Sequence, residues 1–363
     1  MKRMPVVLAA GSLGLALTLT GCGSSSDSGD SGSGGSGAAA DAKIGVILPD
    51  TESSVRWETA DRPALEAAFK DAGVDYDIQN AQGDATQMQK IADSMITSGV
   101  TVLAIVNLDN ASGAAIEEKA KNQGIATIDY DRLTLGGSAS YYVSYDNEKV
   151  GELQGEGLQN CLGQDTKANI VYLNGSPDDS NATAFAKGAH TVLDANSNYK
   201  VVAEQAVPGW DNTQATKIFE QMYTENNGKI DGVLAANDGL GGSAISILQK
   251  NGVAGKVPVT GQDATVQGLQ DILAGTQCMT VYKSAKQEAG ALADLAIGLA
   301  KGDEPKADGS VTDSEGKRDV PAVLLDPVAV TKDNVKAVID DGGATAADVC
   351  KGFEKECTDA GIK

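Results

Sequence analysis

Residues 43–73 read KIGVILPDTESSVRWETADRPALEAAFKDAG. Lys43 to Leu48 is a short apolar run of the kind found in a strand buried on both faces. Asp61 followed by Arg62-Pro63 marks a helix start, Leu65, Ala68 and Phe69 form an apolar stripe at helical spacing, and Gly73 ends it. The polar residues Glu52 to Trp57 lie between strand and helix. This unit recurs downstream. Tyr76 to Gln79 is extended, and Met88, Ile91, Met95 and Ile96 make the next helical stripe, closed by Gly99. Val102–Val106 reads as a strand, 111–122 as a helix and Ile125–Asp129 as a strand. A second series starts near Glu148. Helices at 148–161, 182–195, 214–226, 240–250 and 265–274 lead to strands at 170–173, 201–205, 233–236, 257–260 and 279–282. Residues 303–318 read as an acidic surface loop, and 320–325 as a returning strand. Strands alternating with helices predict parallel, doubly wound sheets, and two such series predict two similar lobes.

The N-terminus reads as an export signal. Lys2 and Arg3 precede a short apolar run, Val6 to Leu19, that is too brief for a stable membrane span. It ends in Leu19-Thr20-Gly21-Cys22, which resembles the lipobox of bacterial lipoproteins, where the chain is cut before a cysteine that then carries lipid. Residues 1–21 are therefore expected to be a signal and 22–39, almost wholly Gly, Ser, Ala and Asp, a flexible tether. The Gly-Ser-Gly-Gly-Ser-Gly run at 32–37 lacks the flanking strand and helix of a nucleotide loop. The roughly 320 residues that follow suit two lobes. Losing Lys2 and Arg3 with the signal takes the net charge from −21 to −23, which argues against a nucleic-acid partner. With Cys22 modified, Cys161, Cys278, Cys350 and Cys357 remain, an even set in an exported chain. Three pairings are possible. Cys350 with Cys357 would close a local loop and leave Cys161 with Cys278; an unbroken helix would hold the first two about 10 Å apart, so that pairing needs an irregular segment.

Open α/β sheets bind ligands just beyond the carboxyl ends of their strands. Here those positions hold Glu52–Trp57, Tyr130–Arg132, Ser176–Asn181, Pro208–Trp210, Asn237-Asp238, Gln262-Asp263 and Lys283. They are rich in Asp, Asn, Arg and Trp, with no nucleophile beside a base. A sugar ring offers apolar C–H faces and a rim of hydroxyls, each both donor and acceptor. It calls for flat aromatic plates and planar polar groups. Both tryptophans of the chain, Trp57 and Trp210, fall in these segments.

At these residues the chain resembles the type I periplasmic sugar-binding proteins of ABC importers, within them the xylose-binding branch. The matching segments are Arg56-Trp57, Tyr130-Asp131-Arg132, Ser144 through Gln154, Gly175-Ser176-Pro177 with Asp179 and Asn181, Gly209-Trp210, Asn237-Asp238, Gly261 to Ala264, Gly275 to Gln277 with Met279 to Lys283, and Val320-Pro321 through Val330. The resemblance implies two Rossmann-like lobes joined by a hinge, 40–146 with 284–325 and 147–283 with 326–363. It implies that Arg56, Asp131 and Arg132 bond the sugar from the first lobe, Asn181, Asn237 and Asp263 from the second, and Lys283 from beside the hinge. Trp57 and Trp210 would sandwich the ring. A helix cap is the competing role for Asn237-Asp238, and more so for Asp238. The implied ligand is D-xylose. Asn107-Leu108-Asp109 stands where the branch carries Pro-Tyr-Asn, and 51–55 lacks its charged residues, so another aldose such as glucose stays open. The implied partners are an ABC permease and the outer face of the cytoplasmic membrane, reached through the lipid alone. The chain is expected to be monomeric and to need no cofactor or metal.

Rival readings fare less well. A sugar isomerase wants metal-ligating histidines, and the chain's one histidine, His190, stands alone in a helix. A glycosidase needs paired carboxylates of tuned pKa, and Asp131 with Asp263 stays open as such a pair. A repressor of this fold would carry DNA-binding helices where the export signal stands. A sugar-presenting sensor remains compatible with transport. Asp194-Ala195-Asn196-Ser197-Asn198 lacks the Gly and Glu of a calcium loop.

Overall fold

The computed structural model describes residues 42–362. The signal, Cys22 and the tether lie outside the described residues. In the first lobe β1 (Lys43–Leu48), α1 (Arg62–Asp71), β2 (Asp75–Asn80), α2 (Ala85–Thr97), β3 (Val102–Ile105), α3 (Asn110–Lys121), β4 (Ala126–Tyr130) and β5 (Tyr141–Tyr145) follow in turn. The chain then enters the second lobe with α4 (Asn147–Leu162), β6 (Ala168–Asn174), α5 (Ser180–Leu193), β7 (Tyr199–Ala206), α6 (Asn212–Glu225), β8 (Gly232–Ala235), α7 (Asp238–Lys250), α8 (Val266–Ala274) and β9 (Thr280–Tyr282). It returns to the first through α9 (Ala285–Ala300), β10 (Gly309–Asp313) and β11 (Arg318–Leu325). It ends with β12 (Val328–Val330), α10 (Val335–Asp341), α11 (Ala346–Val349) and α12 (Glu354–Asp359).

The first sheet runs β10-β11-β5-β4-β3-β1-β2, parallel throughout except for the β10–β11 pair. The second has the parallel order β7-β6-β8. Each sheet reverses strand order beside its first strand, between β1 and β3 and between β6 and β8, which opens a crevice at the strand tips. Ile44, Val46, Leu48, Leu65, Phe69 and Leu292 fill the first core, and Val171, Leu173, Phe185, Phe219 and Val233 the second. Burial of such side chains stabilises the lobes by about 1.5–3 kcal/mol each.

Four local expectations need correction. The chain is helical before Asp61: Trp57–Asp61 forms a π-helical turn leading into α1. Asp61 caps nothing, because Arg56 and Tyr130 take its carboxylate. Residues 309–313, expected in a loop, pair antiparallel with β11, Val311 opposite Val320, as a polar edge strand. The segment at 257–260 makes only a bridge from Val259 to Val233, with the Thr260 hydroxyl bonding Ala235 in place of a ladder. And β9 joins no parallel sheet; it pairs antiparallel with β12, which arrives from the first lobe in the opposite direction.

Cys161, at the end of α4, is bonded to Cys278 with Cα atoms 6.5 Å apart. Cys350 is bonded to Cys357 at 5.7 Å, across a turn between α11 and α12 where Gly352 has φ +81°. That break brings the two residues closer than one continuous helix would. Among the described residues no helix is long and apolar enough to cross a membrane.

Candidate functional site

Arg56, Trp57, Asp131, Arg132, Asn181, Trp210, Asn237, Asp263 and Lys283 all border one small cavity, together with Ser53, Ser54, Asp179, Phe185 and Gln262. Arg56 and Trp57 come from the turn after β1, Asp131 and Arg132 from the tip of β4. Asn181 opens α5, Trp210 closes a one-turn helix after β7, and Asn237 precedes α7. Asp263 lies in the turn before α8, and Lys283 follows β9.

Asp131 is the hub. It sits at φ +61°, a strained setting for a residue with a Cβ, and its surroundings hold it there. Its N–H donates to the Val143 carbonyl at 2.8 Å. Its own carbonyl accepts from Tyr142 (2.9 Å), Ser144 (2.8 Å) and Asn181 (2.9 Å). Its carboxylate meets Lys283 Nζ and Arg56 Nη1, each at 3.3 Å, and Asn181 Nδ2 at 3.0 Å. Burial alone would push this carboxyl up; Lys283, Arg56 and Arg132 outweigh burial and hold it at about 2. Trp210 (φ +56°) and Asp263 (φ +99°) share the left-handed setting.

Arg56 is pinned on three sides. Asp61 accepts from Nε at 2.9 Å and Nη2 at 2.7 Å, and Glu288 of α9 accepts from Nη2 at 2.5 Å. Its guanidinium lies over the Trp57 ring, 4.6 Å from the centroid. Burial drives the Glu288 carboxyl up to about 8, against the pull of Arg56. Burial also raises Asp263, opposed by Lys283.

Arg132 reaches across the cleft. Its Nε makes an ion pair with Asp179 Oδ2 at 3.0 Å, and its Nη1 donates to the Asn107 carbonyl at 3.1 Å. The same Asp179 oxygen accepts from Trp210 Nε1 at 3.1 Å. Trp210 lies flat against the chain at Gly175, where a Cβ would come within 2.0 Å of the ring, so only glycine fits. Asn237, not Asp238, caps α7: its Oδ1 accepts from Leu240 N–H at 2.9 Å, which leaves Nδ2 as the donor facing the cavity. Asp238 is buried behind it, bonded to Thr265, Gln277 and Thr280.

The cavity thus offers donors from Arg56, Arg132, Lys283 and Asn237, and acceptors from Asp131, Asp179 and Asp263. This mixture matches a ring of hydroxyls, each of which gives and takes one bond. Among the described residues no group of His, Cys, Asp and Glu is arranged to hold a metal ion.

Sequence reasoning left out Asp179, Phe185, Gln262 and Ser53 as site residues, although Asp179, Gln262 and Ser53 lie in the strand-tip segments it flagged. Phe185 sits one helical turn after Asn181 and is legible only as core. Glu288 and Asp61, which brace Arg56, gave no signal.

The description "periplasmic binding protein domain" matches residues 44–304. The D-xylose-binding periplasmic protein of Escherichia coli (strain K12) is 40% identical over 309 residues, covering 84% of this chain and 91% of that protein. The chain belongs to the type I periplasmic sugar-binding protein family. The multiple sugar-binding periplasmic receptor ChvE of Rhizobium radiobacter is 33% identical over 86% of this chain and 94% of its own length. Among solved structures, a carbohydrate transporter solute-binding protein from Chloroflexus aurantiacus in complex with D-glucose superposes with a TM-score of 0.76. It is 28% identical, over 84% of this chain and 97% of that one. One from Clostridium phytofermentans with bound β-D-glucose has a TM-score of 0.78 at 27% identity, over 85% and 99%. Members of this periplasmic sugar-binding family are binding proteins rather than enzymes.

Proposed function

We propose that this protein is the solute-binding lipoprotein of a sugar ABC importer. It is exported, held by lipid on Cys22 to the outer face of the cytoplasmic membrane, and works as a monomer. It takes one monosaccharide between the lobes, 40–146 with 284–325 and 147–283 with 326–363, and delivers it to the permease. D-Xylose is the preferred ligand, since two relatives at 36–40% identity carry the name D-xylose-binding periplasmic protein. D-Glucose is the second choice, favoured by the two glucose-bound structures.

The observation that carries this reading is the convergence of charged and amide side chains from both lobes on one small cavity. Only a closed cleft brings all of them to one ring, so sugar shifts the lobes toward closure. Hydrogen bonds to charged groups contribute about 1.5–3 kcal/mol each. Several of them offset the cost of desolvation and leave micromolar affinity or better. The test is a monosaccharide panel followed by tryptophan fluorescence and thermal shift. The true ligand changes emission and raises the melting temperature; a panel in which no sugar does either removes this function.

A further inference from the structure

Helix α4 contributes no residue to the cavity's lining, yet two amides on its inner face hold the second-lobe segments that do. Asn147 opens the helix and Gln154 follows about two turns later, so they share a face. Both are buried. Gln154 Nε2 lies 3.2 Å from the Ala235 carbonyl, 3.0 Å from that of Ala236 and 3.1 Å from that of Gly261. These carbonyls end the two neighbouring strand segments of the second lobe, immediately before Asn237 and before Gln262-Asp263. One side chain therefore ties together the backbones that carry both groups.

Asn147 acts on the third. Its Nδ2 donates to Asn181 Oδ1 at 2.8 Å, with the Tyr142 and Ser144 hydroxyls at 3.1 and 3.2 Å. Asn181 Nδ2 faces only acceptors, the Asp131 carbonyl and carboxylate. Its Oδ1 must then face Asn147, which must donate. The amide orientation of Asn181 is fixed by this chain of bonds. In both α4 amides the oxygen is buried without a partner, which costs stability. The donor ends are what the site uses. Close packing makes the reach possible: a Cβ at Gly151 would fall 1.9 Å from the Phe185 carbonyl, so α4 and α5 meet backbone to backbone.

We infer that Asn147 and Gln154 are positioning residues for the sugar site, setting from behind the amide of Asn181 and the spacing of Asn237 and Asp263. The inference rests on the sugar-binding reading of the cavity. Neither residue touches the ligand. Together they make α4 the template for the second lobe's half of the recognition pattern.

The test compares full-length wild type with Asn147→Asp and Gln154→Leu, using D-xylose titrations and hydrogen exchange without sugar. Asp at position 147 suits the first turn of a helix but cannot donate to Asn181 when ionised. For each variant the dissociation constant is expected to rise about tenfold or more. In Asn147→Asp the sugar-free melting temperature should stay within about 4 °C of wild type. In Gln154→Leu, exchange should quicken at 235–240 and 260–265 above the rest of the lobe. Affinity within about twofold of wild type in both variants overturns the inference, as does lost affinity with unchanged exchange at those segments. If wild type itself binds no monosaccharide, the functional reading falls; exchange at 235–240 and 260–265 then decides alone, and no change there overturns the clamp.

Discussion

The two walls of the cleft are built on different principles. On the first-lobe wall every polar group aimed at the cavity from Arg56, Asp131 and Arg132 carries charge, and each already has a charged partner: Asp61 for Arg56, Lys283 for Asp131, Asp179 for Arg132. On the second-lobe wall the amides Asn181, Asn237 and Gln262 are interleaved with Asp179, Asp263 and Lys283. Asn237 is set by its helix cap, Asn181 by Asn147, and Asp263 touches only the side chain of its neighbour Gln262. Arg56 is braced within the first lobe by Asp61 and Glu288, whereas Asp131 and Arg132 find their partners, Lys283 and Asp179, on segments of the second lobe. The second wall is held from behind by backbone and amide bonds.

Removing the hub should separate the walls most sharply. Asp131→Ala leaves Arg56 and Lys283 without their shared partner, a loss of about 3–5 kcal/mol. Sugar binding should vanish and melting temperature should drop together. The pH dependence has the same origin. The Asp131 carboxyl is held at about 2 when folded, below its ordinary range, so its stabilising contribution is present above that range and is lost as pH falls toward about 2. In Asp131→Asn this part of the acid sensitivity should be absent from melting curves.

Asp263→Asn probes the opposite wall. Asn tolerates the positive φ there, and no cation is stranded at hydrogen-bond distance. Binding should weaken by about 2–5 kcal/mol with the melting temperature nearly unchanged, as read by calorimetry and circular dichroism. An equal loss of stability in the two variants would break the contrast between the walls. Smaller again is Trp210→Phe. It deletes the Nε1 bond to Asp179 and part of the stacking face, and should cost about 1 kcal/mol of affinity. A last effect concerns the brace behind Arg56. The Glu288 carboxyl is raised to about 8 by burial, so the stability it lends is complete at pH below its ordinary value and is lost as pH rises through about 8. Glu288→Gln should therefore gain stability relative to wild type between pH 6 and pH 9, and a constant difference across that range would remove the titration.

The strand tips were legible because their chemistry contradicts their surroundings. An Arg or Asp beyond an apolar run has no packing reason to be there, so the segment at Arg56 and the one at Asp131-Arg132 stood out, whereas Trp57 and Trp210 also pack into the lobe cores. Side chains that work from behind carry no such mark. Asp61 before Arg62-Pro63 has the look of a helix cap, and only the fold shows that Arg56 and Tyr130 claim it. Glu288 sits among Ala and Leu on α9 and meets Arg56 only through tertiary contact, which no local pattern encodes. The same holds for β9 and β12. Each is a short run, and their antiparallel pairing depends on the chain's return from the other lobe. The β10 strand was hidden by polarity, since an exposed edge strand need not alternate apolar residues.

The most direct test of this account is a calorimetric titration of the full-length wild-type protein with D-xylose. It predicts a single site per chain with a dissociation constant in the micromolar range or tighter, and no such site in Asp131→Ala. A titration without heat for D-xylose and for D-glucose, or unaltered binding in Asp131→Ala, would contradict it.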